Sequence, residues 1–329
     1  MSVHELRKEV QQGLSAFVWE QWGQMGMLSA SAERDRWAAD PEALLLLSFE
    51  VGREEPRLFE EVLDWMLVNE RLLSTQRLRN LARDEADRAL AGAAIAWLRE
   101  WRRRGRAPEP EWPPAGGSAE PLFLDVGAPV ERLDPAFLEH ELLKGWREPE
   151  RRSAQPDLEA PINLALRLRS LLGVGTRAEV VRVLLTADAP RMSVQALAAS
   201  TGYAKRNVQE AAASLRAAGA AGSSTIGNEQ RFELPRRRWL ELLNLPSAPL
   251  HVDWPQLFRA LRVLLRWLRE HEDEERSEYM LASEARRVLE SVAEDLRFAG
   301  VPVNQGGPDG AEYWPHFVSV VRSLVPPRG

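Results

Sequence analysis

Lys205, Arg206, Asn207 and Gln209 stand at the head of one short helical pattern, and their types suit reading a nucleic-acid duplex. A guanidinium can donate a bidentate pair to guanine O6 and N7, a carboxamide can pair with adenine N6 and N7, and any cation there neutralises phosphate. Arg206 is the residue expected on guanine and Gln209 on adenine, while Asn207 faces either the groove or the preceding helix. Ser193 and Tyr203 offer hydroxyls to phosphates, and Arg231 follows on a later extended run. Arg236, Arg237 and Arg238 form a basic run suited to the flanking backbone or a minor groove. Ala211, Ala212 and Ala213 are too short to reach a base edge, so discrimination is expected from the first helical turn and the hairpin beyond it.

Other chemistries find little support. The chain has no cysteine, which excludes disulfides, thiol nucleophiles and cysteine-ligated metals. Its five histidines, His4, His140, His251, His271 and His316, are too scattered for a helical metal pair, and neither a metal nor a cofactor is expected. Gly173-Val174-Gly175-Thr176-Arg177-Ala178 matches a G-x-G-x-x-A string. A dinucleotide fingerprint needs a preceding strand, whereas the residues before Gly173 have helical spacing, so the string is expected to be an interhelical turn. Gly222-Ser223 lacks the Asp-x-Asp that nucleotidyl transfer would need to hold metal. With no nucleophile and base pair and no phosphate loop, enzymatic activity is not expected.

The elements that must position the polar quartet are legible from caps and periodicity. Ser193 suits the N-cap of a helix over 194–200, and Thr201-Gly202-Tyr203 breaks it. A second helix over 204–218 carries Val208, Ala211, Ala212 and Leu215 on one face and stops at Gly219, a suitable left-handed residue. Runs 220–225 and 230–234 flank Ile226-Gly227-Asn228-Glu229, a hairpin turn signal. A helix over 177–186, capped by Thr176, and another over 162–172 precede them. Two short helices, a tight turn and a hairpin make the pattern of a winged helix-turn-helix, with the hairpin as the wing.

Around this centre the chain is expected to be mainly α and multidomain. Residues 1–105 have the spacing of an all-α domain, with helices over 14–27, 41–51, 56–73 and 75–104. Residues 106–160 form a Pro/Gly-rich linker with an extended run at 121–130 and a helix over 135–146 capped by Asp134. The winged unit takes 161–245. A C-terminal helical domain, 246–329, has helices over 255–270, 277–298 and 314–324.

The net charge of −6 argues against a chain that coats nucleic acid everywhere. Residues 176–238, however, hold ten basic against five acidic side chains, so the remainder is strongly acidic. No apolar run approaches membrane length, and the N-terminus lacks the apolar core of a signal peptide, so a cytoplasmic location is expected.

Residues 171–234 resemble the winged helix-turn-helix superfamily of bacterial regulators, in particular the MarR- and ArsR-like pattern in which Val208, Leu215 and Gly219 mark the recognition helix and its end. Residues 171–180 also resemble the entry to winged domains of proteins encoded beside nucleotidyltransferase toxins of abortive-infection systems. The first resemblance implies a transcriptional regulator that binds double-stranded DNA sequence-specifically; because a single winged module offers few base contacts, a homodimer over paired half-sites is expected. In such regulators the winged domain is usually most of the chain, whereas long helical regions flank it here. The Leu257, Leu261, Leu264, Leu265 and Leu268 stripe is expected either to form the dimer interface or to cover the winged core. The alternative is a protein-binding module, an antitoxin-like neutraliser or scaffold subunit, that meets its partner through the acidic helical regions.

Overall fold

The computed structural model describes residues 1–27, 37–104, 119–127, 132–227, 229–272, 277–301 and 308–325. It is mainly helical, with fifteen α-helices and two small sheets among the described residues. Helix α1 (Val3–Gln24) starts earlier than the apolar spacing alone suggests. Ser2 Oγ accepts the Glu5 N–H while the Glu5 carboxylate accepts the Ser2 N–H, a reciprocal cap that fixes the first turn. Helix α2 (Pro41–Val51), capped by Asp40, is buried along its whole length. A helix apolar on every side must lie at the centre of its body. Around it lie α3 (Pro56–Val68), α4 (Thr75–Leu81) and α5 (Glu85–Arg104). The single helix expected over 75–104 is two, because Ala82 is extended and Asp84 accepts the Asp87 N–H to open a new first turn.

The segment read as a linker lies packed on this body where it is described. β1 (Glu120–Pro121) pairs in parallel with β2 (Leu142–Leu143), and Leu122, Phe137 and Leu142 enter the core. The helix expected over 135–146 is only the single turn α6 (Pro135–Leu138), since Glu141 takes a positive φ of 58° and redirects the chain into β2. The extended run expected over 121–130 shrinks to β1, and residues 128–130 lie outside those described. So does most of the Pro/Gly-rich stretch, 105–118. Asp64 accepts the backbone N–H groups of Arg151 and Ser153, which pins the return of the chain to α3.

The central unit comprises α7 (Leu164–Leu172), α8 (Thr176–Thr186), β3 (Met192–Ser193), α9 (Val194–Thr201), α10 (Lys205–Ala217), β4 (Gly222–Ile226), β5 (Glu229–Glu233) and α11 (Arg236–Leu242). The strands form an antiparallel sheet in the order β3-β5-β4, with Arg231 opposite both Ser193 and Ser224. The G-x-G string is the turn from α7 to α8, as its helical approach predicts, and Gly173 there takes a φ of +82°. Thr176 is not the cap of α8. Gly175 holds that position without a side-chain hydrogen bond, so Thr176 is the first helical residue. A separate core joins these elements through Val181, Leu185, Leu197, Val208, Leu215 and Phe232.

Beyond it come α12 (Trp254–Glu270), α13 (Glu278–Ser291), α14 (Ala293–Phe298) and α15 (Tyr313–Leu324). The leucine stripe of α12 packs on α1 and α2, so it neither covers the central unit nor is free to form a dimer interface. One apolar core thus runs through the N-terminal helices and α12 to α15. The central unit is inserted between two halves of this shared body. Asp87 and Arg262 strengthen the junction with a buried two-pronged ion pair at 2.9 and 2.7 Å.

Candidate nucleic-acid interface

Helix α10 has two clean faces. Val208, Ala211, Ala212 and Leu215 are buried, while Lys205, Arg206, Asn207 and Gln209 are exposed. Arg206 Nε lies 2.9 Å from Glu210 Oε1, one turn on, with the arginine side chain 88% exposed. Such a pair is a weak restraint that an incoming phosphate or base displaces at little cost. Gln209 Nε2 donates to Gln230 Oε1 at 3.3 Å and ties the hairpin to the helix, while Arg231, the next residue of β5, lies on the other face of the strand and pairs with Glu229 at 3.1 Å. Asn207 lines a groove of about 330 Å³ shared with Gly173, Thr176 and Arg177, and therefore faces the turn into α8.

Two of the sequence-derived assignments need correction. Tyr203 is only 7% exposed, and its hydroxyl lies 2.9 Å from Ser74 Oγ at the base of α4. Burial raises its phenol above the ordinary value, and no phosphate can reach it. Arg236 turns back onto the C-terminal end of α8, donating to Leu184 O at 3.2 Å and to Ala187 O. There it satisfies carbonyls left open at the helix end. Arg237 and Arg238 remain exposed, Arg237 paired with Glu241 at 2.9 Å. Ser193 caps α9 by accepting the Ala196 N–H at 3.2 Å, which leaves its own proton to donate.

Comparison with protein-family models, with characterised proteins and with solved structures finds no match to this chain. What the interface can do therefore rests on its own geometry.

Six buried ions, invisible to periodicity, fix how the central unit sits on the body. Asp40 and Glu42 from the start of α2 and Arg77 from α4 meet Arg169 from α7 and Glu179 and Arg182 from α8. Arg77 reaches Glu42 at 2.9 Å, Arg169 reaches Glu179 at 2.8 Å, Arg182 reaches Glu179 at 2.8 Å and Asp40 at 3.1 Å. Three guanidiniums balance three carboxylates. Burial alone would raise the Asp40 and Glu179 carboxyls, but the arginines more than offset it and hold both below the usual carboxylate range. Arg182 and Glu179 cancel within the network, so the basic excess of the window 176–238 stays on its surface.

The same contact grips the turn before α10. Arg77 Nε donates to Thr201 O at 2.6 Å, Asn80 Nδ2 to Gly202 O at 3.2 Å, and Gln256 Nε2 to Ala199 O at 2.8 Å. Gly202 takes a φ of +72°, and a Cβ there would come within 2.6 Å of Leu81 Cδ2. Gly202→Ala is accordingly expected to cost at least about 1–2 kcal/mol from the left-handed backbone, with the clash against α4 added. Urea unfolding at pH 7 checks this, and a neutral result would mean that the turn is not held as described.

Thr186, His251 and Asp253 form a hydroxyl, imidazole and carboxylate array, with Thr186 Oγ1 2.9 Å from His251 Nδ1 and His251 Nε2 3.3 Å from Asp253 Oδ2. Thr186 is 6% exposed and its Oγ1 also donates to Arg182 O, so the hydroxyl has no open face for substrate. The array ties the last turn of α8 to the start of α12. Among the described residues no group of three or more His, Asp or Glu is placed to hold a metal ion, and no helix is long and apolar enough to cross a membrane.

Proposed function

We propose that residues 162–243 form a winged helix-turn-helix, with β4 and β5 as its wing, and that the protein is a sequence-specific duplex-DNA-binding transcriptional regulator. The observation that carries this is the exposed head of α10. Lys205, Arg206 and Gln209 are exposed, with Gln209 linked to the hairpin through Gln230, while the opposite face of the same helix is anchored in a core. A helix so mounted can enter a major groove, with Lys205 against phosphate and Arg206 and Gln209 at base edges. Arg237 and Arg238 add flanking phosphate contacts, and Ser193 donates a further hydrogen bond. Pairing of two copies over half-sites supplies the affinity that one short helix lacks. Because the α12 stripe is buried, the dimer uses another surface.

Fluorescence anisotropy with duplexes from the protein's own upstream region and with scrambled duplexes, across a salt series, tests the proposal. Preferential binding to one duplex is expected, with log affinity falling at about 0.9 per phosphate neutralised against log salt. Failure of both duplexes to bind would overturn it. Protein docking would then be favoured by Tyr279 and Met280, which are 70% and 53% exposed on the first turn of α13.

A further inference from the structure

We propose that Arg177, on the first turn of α8, anchors a phosphate of the DNA strand that passes α10 on the side away from the hairpin. This rests on the DNA-binding reading above and gives the reading helix a second flank. A helix seated in a major groove about 12 Å wide has a sugar–phosphate strand on each side of it. At about 100° per residue, Arg206 stands at the middle of the outer face of α10, opposite the buried Val208, Ala211, Ala212 and Leu215. Gln209 is turned about 60° from it to one side, where it meets Gln230 of the hairpin. Asn207 is turned about 100° to the other side, where it shares the groove of about 330 Å³ with Thr176 and Arg177. One flank of the reading helix is thus the hairpin, and the other is the start of α8.

Arg177 is exposed, and among the described residues its guanidinium has neither an ion-pair nor a hydrogen-bond partner. Glu210, the carboxylate on the same groove, is held by Arg206 at 2.9 Å and does not meet it. A cation in the first turn of a helix opposes the helix dipole, so Arg177 weakens α8 where it stands and is not explained by the stability of its own helix. A phosphate lying along the groove accepts the forked donors of a guanidinium two at a time. The Thr176 hydroxyl and the Asn207 amide offer uncharged donors to the same strand.

The test is duplex binding across a salt series for wild type, for Arg177→Gln and for a control, Arg287→Gln, exposed on α13. It is repeated with duplexes in which single phosphates are replaced by neutral methylphosphonates. Arg177→Gln is expected to bind about fivefold more weakly near physiological salt, equally on preferred and scrambled duplexes, with a log–log slope shallower by about 0.9. One methylphosphonate position is expected to weaken wild type and the control by a similar factor and to leave Arg177→Gln unaffected. The melting temperature of Arg177→Gln is expected to equal or exceed that of wild type, which a structural role would not give. An unchanged slope, a lowered melting temperature, an equal loss in the control, or no phosphate whose neutralisation is silent in Arg177→Gln would each overturn the anchor alone. No wild-type binding to any duplex would overturn the DNA-binding reading and this inference with it.

Discussion

Replacing Lys205 and Arg206 together by alanine is expected to weaken binding to the recognised duplex by about a hundredfold or more while leaving thermal unfolding unchanged. Both side chains are exposed, and the Arg206 pair with Glu210 is a surface contact between residues one turn apart. Losing such a pair costs only about 0.3–0.5 kcal/mol, and alanine returns a similar amount in helix propensity. At the interface the balance is different. A well-made contact to a base edge, the role of Arg206, is worth about 1–3 kcal/mol, and losing the Lys205 phosphate contact with it brings the fall to roughly two orders of magnitude in affinity. Anisotropy titration beside a thermal melt separates the two effects. Undiminished affinity in a folded variant would remove α10 as the reading helix.

The second large effect concerns the buried ions. Glu179→Gln is expected to destabilise the protein by about 3–5 kcal/mol at pH 7, since it leaves three buried guanidiniums facing two carboxylates. The pH dependence follows from the same geometry. Asp40 and Glu179 are held below their ordinary values when folded, so the unfolded chain binds their protons at higher pH than the native chain does. Their contribution is fully present above about pH 4 to 5, the unfolded range, and is lost as pH falls through the depressed folded values. Wild type is therefore expected to lose stability steeply below about pH 4, and Glu179→Gln, already weak at pH 7, to lose less over that interval. Urea unfolding at pH 7, at pH 4 and at about pH 2.5 measures both. A cost below about 1 kcal/mol at pH 7 would mean that the network is not closed in solution.

A consequence for function follows from where these ions lie. The network and Arg77, which also holds Thr201 O, set the angle at which α10 leaves the body. Glu179→Gln is thus expected to affect binding through orientation, whereas Lys205 and Arg206 act by touch.

Local sequence was enough to define the two faces of α10. The polar and apolar faces of α10 follow from a repeat of 3.6, the cap at Ser193 from its hydroxyl, and the break at Gly202 from a backbone that only glycine adopts readily. Each of these depends on residues within a few positions of one another. Tyr203 and Arg236 sit inside the same short window yet went astray, because what a long side chain touches depends on elements far away in the chain. A tyrosine after a turn has the same spacing whether it meets phosphate or Ser74. Asn228, at the hairpin tip, lies outside the described residues.

Only the tertiary structure decided how the pieces meet. A leucine stripe declares that α12 must be covered, but not that α1 and α2 cover it. Charged residues along helices resemble a solvated face until Asp40 is found against Arg182, 142 residues away. Capping and periodicity act through neighbouring backbone groups and are therefore written locally. Stripe partners and buried ion pairs are chosen by complementarity across the whole folded chain, which no local window contains.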